Sequence, residues 1–357
     1  MNLPLEHTAL AVVGAGPAGL CAAVEAARSG VPVVVLDENE RAGGQLFKQV
    51  HRFFGSRRHG AGKRGYEIAD DLIAECLRAG VDIRLGSSVI AFFPEGELMV
   101  DGPGGVYLVR PQAVVIATGA SEKTIAFPGW TLPGIMGAGA AQTLVNVHGV
   151  LPGKRVLIAG AGNVGLIVSY QLLQAGADVV GIVEASHGVS GYEVHLDRVR
   201  REGVPIYPGH RIISARGRDG LEAVVVKDLR GGRTVLFEAD SLCMAVGMSP
   251  MAELAAMRGC RMVFREELGG FLPWHDEKMR AGLQGVYVAG DAAGVEEASV
   301  AMEEGRMSGI SAAEEMGSMK KRQAAARRAA VSRRLADLRR GPYGEARMAA
   351  KCSLYCA

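Results

Sequence analysis

The chain has 357 residues, 48% hydrophobic and 22% charged, which is enough to bury a core and, at roughly 150 residues per domain, is the length of about two domains. Its 49 glycines are about twice the ordinary share of ~7%, while aromatics at 5% and two tryptophans argue against stacking platforms for bases or sugars. The net charge of +2 gives no reason for a nucleic-acid or membrane partner and hides an asymmetry: residues 318–357 carry 11 Lys/Arg against Asp337 and Glu345, so the body before them is acidic.

The first 40 residues read as strand, glycine turn, helix and strand. Ala9–Val13 is an apolar run, the turn Gly14-Ala15-Gly16-Pro17-Ala18-Gly19 follows, Leu20–Arg28 is Ala-rich, and Val31–Leu36 is a β-branched run ending at Asp37 and Glu38. Ala113–Ala117 reads as another buried strand, delivering Thr118-Gly119. A second copy of the unit begins at Arg155–Ala159, turns through Gly160-Ala161-Gly162-Asn163-Val164-Gly165, continues as a helix over Leu166–Gln174, and ends as a strand over Asp178–Val183 reaching Glu184. Asp240–Val246 matches Ala113–Ala117. Gly285–Ala289 then leads to Gly290-Asp291, and Ala298–Met316 reads as a helix. The spacing is that of a duplicated nucleotide-binding module rather than a short-period repeat.

The longest charge-free run, Thr8–Val24, is interrupted by Gly14, Gly16, Pro17 and Gly19 and has no cationic leader, so no transmembrane segment is expected and the chain is read as soluble and cytoplasmic. The six cysteines contain no CxxC pair, and the eight histidines no HExxH or similar ligand spacing. Cys21 and Cys243 are expected as core thiols.

Each GxGxxG turn sits where its chemistry requires, between a strand and a helix and about 23 residues before an acid. Gly14 permits a tight turn, Gly16 lets the backbone approach a pyrophosphate, and Gly19 permits close helix packing. The helix start offers free N–H groups to phosphates, and Asp37 can accept from a ribose. Gly160, Gly162, Gly165 and Glu184 form a candidate second nucleotide site. With no Arg over residues 185–191, Glu184 favours NAD over NADP. Gly290-Asp291 places a carboxylate where the hydroxyls of an extended cofactor, such as a ribityl chain, could be met.

This layout resembles the two-dinucleotide-binding-domain flavoproteins. The segments Phe127-Pro128-Gly129-Trp130-Thr131-Leu132-Pro133-Gly134, Gly43-Gly44-Gln45-Leu46 and residues 290–298 narrow the resemblance. They are similar to the group that includes the alpha subunits of heterotetrameric sarcosine oxidase and dye-linked proline dehydrogenase, the A subunit of opine oxidase and the B subunit of hydrogen cyanide synthase. Residues 9–317 carry the match. The resemblance implies an α/β fold of two Rossmann-like domains, the second inserted into the first. The first domain spans 1–120 with 250–317, the second 121–249, and a basic helical arm 318–357.

The resemblance also implies a hetero-oligomeric amine or amino-acid dehydrogenase, with a proline-, sarcosine- or opine-like substrate. In it a partner flavoprotein, an amine or amino-acid oxidase-like beta subunit, removes hydride and this subunit relays electrons or holds a nucleotide. Carried onto this chain, Gly14, Gly16, Pro17, Ala18, Gly19, Asp37 and Glu38 would bind the ADP half of FAD. Gly44 and Gln45 would approach the flavin ring, Thr118 and Gly119 would close over the cofactor, and Gly290 and Asp291 would meet the ribityl chain. Asn163 and Val164 belong to the second turn. FAD is the expected occupant of the first site; NAD or ATP there, and FMN at a subunit interface, are the alternatives.

Two departures matter. Many relatives continue into a Cys-rich domain with a two-iron, two-sulfur cluster, whereas the terminal Cys352 and Cys356 supply only two of the four thiolates such a cluster needs. Any cluster would be shared with, or carried by, a small iron-sulfur protein. The redox CxxC or CxxxxC of disulfide-reductase relatives is also missing, so disulfide reduction is not expected. A self-contained NADH-dependent FAD oxidoreductase and a nucleotide-binding scaffold remain the rival readings. Lys48 and His51 are read as surface cations and His275 as part of a solvated turn. The basic tail is read as a helical arm docking on an acidic partner.

Overall fold

The computed structural model describes residues 3–53 and 56–355. The chain divides into two compact units, Met1–Ser121 with Ser249–Ala357, and Glu122–Met248. In the first unit, β1 (Leu5–Val13), α1 (Pro17–Ala27) and β2 (Val33–Leu36) form the opening βαβ module. Leu10–Val13 and all of β2 are buried, as continuous apolar runs must be in a parallel sheet covered on both faces. Then come α2 (Gly65–Arg78), β3 (Asp82–Arg84), β4 (Ser88–Phe92), β5 (Leu98–Gly102), β6 (Gly105–Ile116) and the short β7 (Ala120–Glu122).

The sheet order is β3-β2-β1-β6-β5-β4. The long β6 serves two partners: its first residues pair antiparallel with β5, while Ala113–Ile116 run parallel to Leu10–Val13. A strand with mixed pairing does not read as a simple alternating pattern, which is why only its buried end is visible in the sequence.

The second unit repeats the plan. It holds β8 (Ile135–Gly137), α3 (Ala138–Asn146), β9 (Arg155–Ala159), α4 (Asn163–Gln174), β10 (Asp178–Glu184), α5 (Glu193–Arg201) and β11 (Ile206–Pro208). The strands β12 (His210–Arg216), β13 (Ala223–Asp228), β14 (Thr234–Glu238) and β15 (Ser241–Met244) complete it. A parallel sheet runs β11-β10-β9-β15-β8, and β12-β13-β14 form an antiparallel meander.

Beyond it lie β16 (Met248–Pro250), α6 (Glu253–Met257), the hairpin β17 (Met262–Arg265) and β18 (Gly270–Pro273), β19 (Val286–Val288), and the helices α7 (Ala298–Glu315), α8 (Lys321–Leu338) and α9 (Pro342–Tyr355). Strand β19 pairs parallel with β6. Helix α7 packs on α1 through small residues: a Cβ on Gly305 would lie 2.0 Å from Ala18 O, and one on Gly309 2.3 Å from Ala22 O. That close approach brings the turn before α7 against the start of α1. Among the described residues, no helix is long and apolar enough to cross a membrane.

The C-terminal arm corrects the sequence expectation. Its helices pack on their own unit, burying Ala324, Val331, Leu335, Ala350 and Leu354. Its cations pair with acids of the same unit: Arg327 with Glu25, Arg328 with Glu314 (2.6 Å), Arg334 with Glu303 (2.7 Å), Arg339 with Glu296 (2.5 Å) and Arg347 with Glu297 (3.2 Å). The acidic surface that the arm needs is therefore the chain's own body. Gly341-Pro342 ends α8, but Pro342 also opens α9, because a proline at the first helical position loses no hydrogen bond.

His275 is also corrected. It is fully buried rather than solvated, covered by α9. His51 is half-buried and stacks on Phe53 with ring centroids 5.3 Å apart, and Lys48 is half-buried.

Candidate functional site

At the end of β1 the chain turns through Gly14 with φ +104°. A Cβ there would lie 2.3 Å from Ala117 O, and one on Gly19 would lie 1.8 Å from Gly14 O. The fold itself demands both glycines. Gly16 differs: its φ of −75° and ψ of −178° suit any residue, and an added Cβ would meet nothing nearer than Gly44 Cα at 4.0 Å. Glycine at 16 keeps open the space in front of α1 rather than satisfying the protein's own packing.

That space faces a helix start with no side-chain cap. Pro17 has no N–H, while the first-turn N–H groups of Ala18 and Gly19 have no acceptor within the helix. Such a terminus favours a phosphate. Gly44, with φ +53°, comes so close that its Cβ would stand 2.8 Å from Gly16 Cα, and Gly43 N–H donates to Ala15 O at 2.8 Å. The Gly43-Gly44 loop is thus pinned along the turn, with Gln45 exposed beside it.

Asp37, buried at the end of β2, accepts from Ala15 N–H at 2.5 Å and from the backbone and side-chain N–H groups of Asn39 at 2.8 Å each. A carboxylate has about four acceptor positions, so capacity for a ribose hydroxyl remains. Glu38 is exposed. Thr118 N passes close to the Gly14 turn. The Thr118 hydroxyl donates to Met251 O at 2.5 Å, and Gly119 O, on a residue with φ +79°, accepts from Met251 N at 2.9 Å.

The turn of Gly290 and Asp291 lies against the same helix start: a Cβ on Gly290, where φ is +68°, would meet Ala18 Cβ at 2.7 Å. Asp291 accepts from Glu296 N–H at 3.2 Å. Burial, with the nearby charges of Glu304 and Glu296, pushes its carboxyl up to about 7, so at neutral pH it can donate to a hydroxyl as well as accept from one. In one place the structure brings together the uncapped N–H groups of a helix start, a buried carboxylate with an acceptor position to spare and a second, partly protonated carboxyl. The residues fit a dinucleotide with an extended sugar chain.

The second unit repeats the turn closely. A Cβ on Gly160 (φ +106°) would lie 2.3 Å from Ala245 O, one on Gly165 2.1 Å from Gly160 O, and one on Gly162 no nearer than 3.7 Å to Ser190 Oγ. Glu184 accepts from Ala161 N–H and Ser186 N–H, both at 2.8 Å, as Asp37 accepts from Ala15 and Asn39. Asn163 Oδ1 accepts from Tyr192 N–H at 2.7 Å, and Val164 is exposed. Arg230 approaches His187, three residues past Glu184, at 3.5 Å, a cation that sequence spacing does not reveal.

Cys21, Cys76 and Cys243 are buried, and burial pushes their thiols up to about 11, 12 and 12. They are inert core groups. Cys352 is exposed, and Cys356 lies outside the described residues. Among the described residues no group of three or more His, Cys, Asp or Glu could hold a metal ion. Sequence reasoning missed the Gly305/Gly309 contact with α1 and the buried Glu303-Glu304 pair of α7. The signal was present as two adjacent acids in a helix otherwise rich in small and apolar residues.

The clashes separate the glycines experimentally. Gly14→Ala and Gly19→Ala are each expected to destabilise the first unit by about 3 kcal/mol or more through strain and backbone collision, read as a lowered midpoint in chemical denaturation.

The family model described as pyridine nucleotide-disulphide oxidoreductase matches residues 8–305. The A subunit of opine oxidase from Agrobacterium tumefaciens (strain Ach5) is 33% identical over 327 residues, covering 84% of this chain and 64% of the relative. Hydrogen cyanide synthase subunit HcnB of Pseudomonas aeruginosa is 30% identical over 83% of this chain and 68% of its own length. L-proline dehydrogenase from P. horikoshii superposes with a TM-score of 0.73 at 22% identity, covering 93% of this chain and 60% of that one. Thioredoxin reductase from T. acidophilum gives 0.72 at 23%, over 87% of this chain and 98% of its own. These two structures share the α/β fold; the opine oxidase relative is longer, and this chain spans about two thirds of it. With the family model matching most of its length, the chain belongs to the pyridine nucleotide-disulphide oxidoreductase family.

Proposed function

We propose that the chain is an FAD-binding oxidoreductase subunit of a multi-subunit amino-acid or amine dehydrogenase, taking electrons from a partner flavoprotein that acts on a proline-, sarcosine- or opine-like substrate. The observation that carries the reading is the Gly16 opening at the start of α1, flanked by Asp37 on one side and the Gly290-Asp291 turn on the other. Similarity to the opine oxidase and hydrogen cyanide synthase subunits supports the multi-subunit setting. Bound there, FAD supplies the redox step.

The chain's own residues bind and orient. The N–H groups of Ala18 and Gly19 meet the pyrophosphate, Asp37 the adenosine ribose and Asp291 the ribityl hydroxyls, while Gly44 and Gln45 border the ring. In the second unit, Gly162 and Glu184 take a nicotinamide nucleotide, with NAD favoured because a carboxylate repels a 2′-phosphate. The thiols of Cys21, Cys76 and Cys243, buried and held protonated, are poor nucleophiles for disulfide reduction.

The intact second turn, with Glu184 held as Asp37 is, favours one other reading: a self-contained NADH-dependent FAD oxidoreductase. Anaerobic spectra separate the two. Loss of the oxidised flavin band with an amine only after the partner flavoprotein is added supports the complex, whereas loss with NADH alone supports the self-contained enzyme. No reduction by any amine, and no partner recovered with the tagged chain, contradicts the first reading. Gly162→Ala, which meets no protein atom closer than 3.7 Å, is expected to weaken NADH binding ~100-fold with flavin content unchanged, measured by fluorescence titration.

A further inference from the structure

Lys351, on α9, is wholly buried, and its ammonium lies within reach of three acceptors. It donates to Ala293 O at 2.8 Å, to Glu304 Oε1 at 2.8 Å and to His275 Nε2 at 3.3 Å. Ala293 closes the short 3-10 turn Gly290–Ala293 that carries Asp291. At the other end of that turn, Gly290 N–H donates to Glu304 Oε2 at 3.1 Å. One side chain from the end of the chain therefore grips the turn twice, directly at Ala293 and through Glu304 at Gly290.

The surrounding groups fix the charges. His275 Nδ1–H donates to Pro273 O at 3.0 Å, which leaves Nε2 as an acceptor. Burial, and after it the Lys351 charge, pushes the imidazole down to about 3. Burial works against ionising Glu304, but Lys351 and Arg339 hold its carboxyl below the usual range. Arg339, the residue that follows α8, also donates to Glu296 at 2.5 Å, and Glu296 N–H is the donor to Asp291. Attaching α9 does not need the buried ammonium, because Ala350 and Leu354 already pack on Leu268 and Leu272. A buried cation costs desolvation, and two of its three acceptors act directly on the Asp291 turn.

We infer that Lys351 is a positioning residue for the riboflavin half of the cofactor, holding the Gly290–Ala293 turn in the conformation that presents Asp291. The inference rests on the reading of the first site as a flavin site. It gives the C-terminal arm a task within the site.

The test uses the full chain stripped of nucleotide, with Lys351→Met and the double variant Lys351→Met/Glu304→Gln. The double variant removes both charges, so it leaves Glu304 no unpaired buried charge should the single variant fail to fold. FAD binding is followed by quenching of flavin fluorescence and ADP binding by calorimetry. ADP affinity is expected to stay at the wild-type value, since Gly16 and Asp37 are untouched, while FAD affinity falls by about 10- to 100-fold. Unchanged FAD affinity in the folded double variant overturns the inference and leaves the flavin reading standing. Equal losses for ADP and FAD also overturn it, by showing a merely structural role. A wild-type chain that binds FAD no more tightly than ADP overturns the flavin reading itself.

Discussion

Gly16→Ala is expected to abolish flavin binding while leaving the fold intact. The backbone at 16 is already in a conformation that alanine adopts, and the nearest protein atom to the new Cβ is 4.0 Å away. The cost to stability is therefore within about 1 kcal/mol, the difference between glycine and alanine at a helix N-cap. The added methyl instead occupies the path by which a pyrophosphate approaches the first-turn N–H groups. An affinity loss on the order of 100-fold or more follows, because the phosphates must retreat from both the N–H groups and the helix dipole. Equilibrium dialysis against FAD, beside a thermal melt of the apoprotein, reads both halves of the expectation. Retained binding with a normal melt would place the phosphates elsewhere; a collapsed melt would mean Gly16 is structural, like Gly14 and Gly19.

Asp291→Asn is expected to raise the stability of the apoprotein above neutral pH and to weaken flavin binding. The folded carboxyl titrates near 7 against 3.8 when free. Its raised folded value means that the native state holds a proton which the unfolded chain releases first. The stability from that proton is complete below about pH 4 and is lost as the pH rises through 7. Asparagine cannot ionise, so variant and wild type should have similar stability near pH 4 and diverge above it, by roughly 4 kcal/mol at pH 8 in favour of the variant. Urea denaturation at a series of pH values checks the slope. A constant difference across the range would show that Asp291 does not carry the shift. The same substitution leaves an amide facing the polyol, and the flavin should bind several-fold more weakly, an exchange of function for stability common at ligand sites.

The parts of the fold visible in the sequence were those with local causes. Val33–Leu36 and Val156–Ala159 are buried on both faces and so read as uninterrupted apolar runs, and Gly14 and Gly160 announce the turns that follow β1 and β9. The antiparallel strands β4, β5 and β12–β14 were not visible, because their burial depends on which partner covers each face. Asp37 and Glu184 could be placed from spacing alone, since β2 and β10 fix where an acid at the strand end must lie. Lys351 and His275 could not. They meet only because α9 folds back across the unit, and local sequence around Lys351, in a basic tail, points to solvent. The tail's destination was equally hidden: its charge pattern asked for an acidic surface, and only the structure shows Glu296, Glu303, Glu304 and Glu314 of the same chain supplying it.

The central claim is that the first glycine turn and the Asp291 turn together hold FAD. Purifying the full chain, releasing its bound nucleotide by denaturation and identifying it by mass spectrometry against protein concentration tests this most directly. Equimolar FAD, lost in Gly16→Ala, is the predicted result. A chain that carries NAD or ATP in that proportion and no flavin, and takes up none when FAD is supplied, would contradict it.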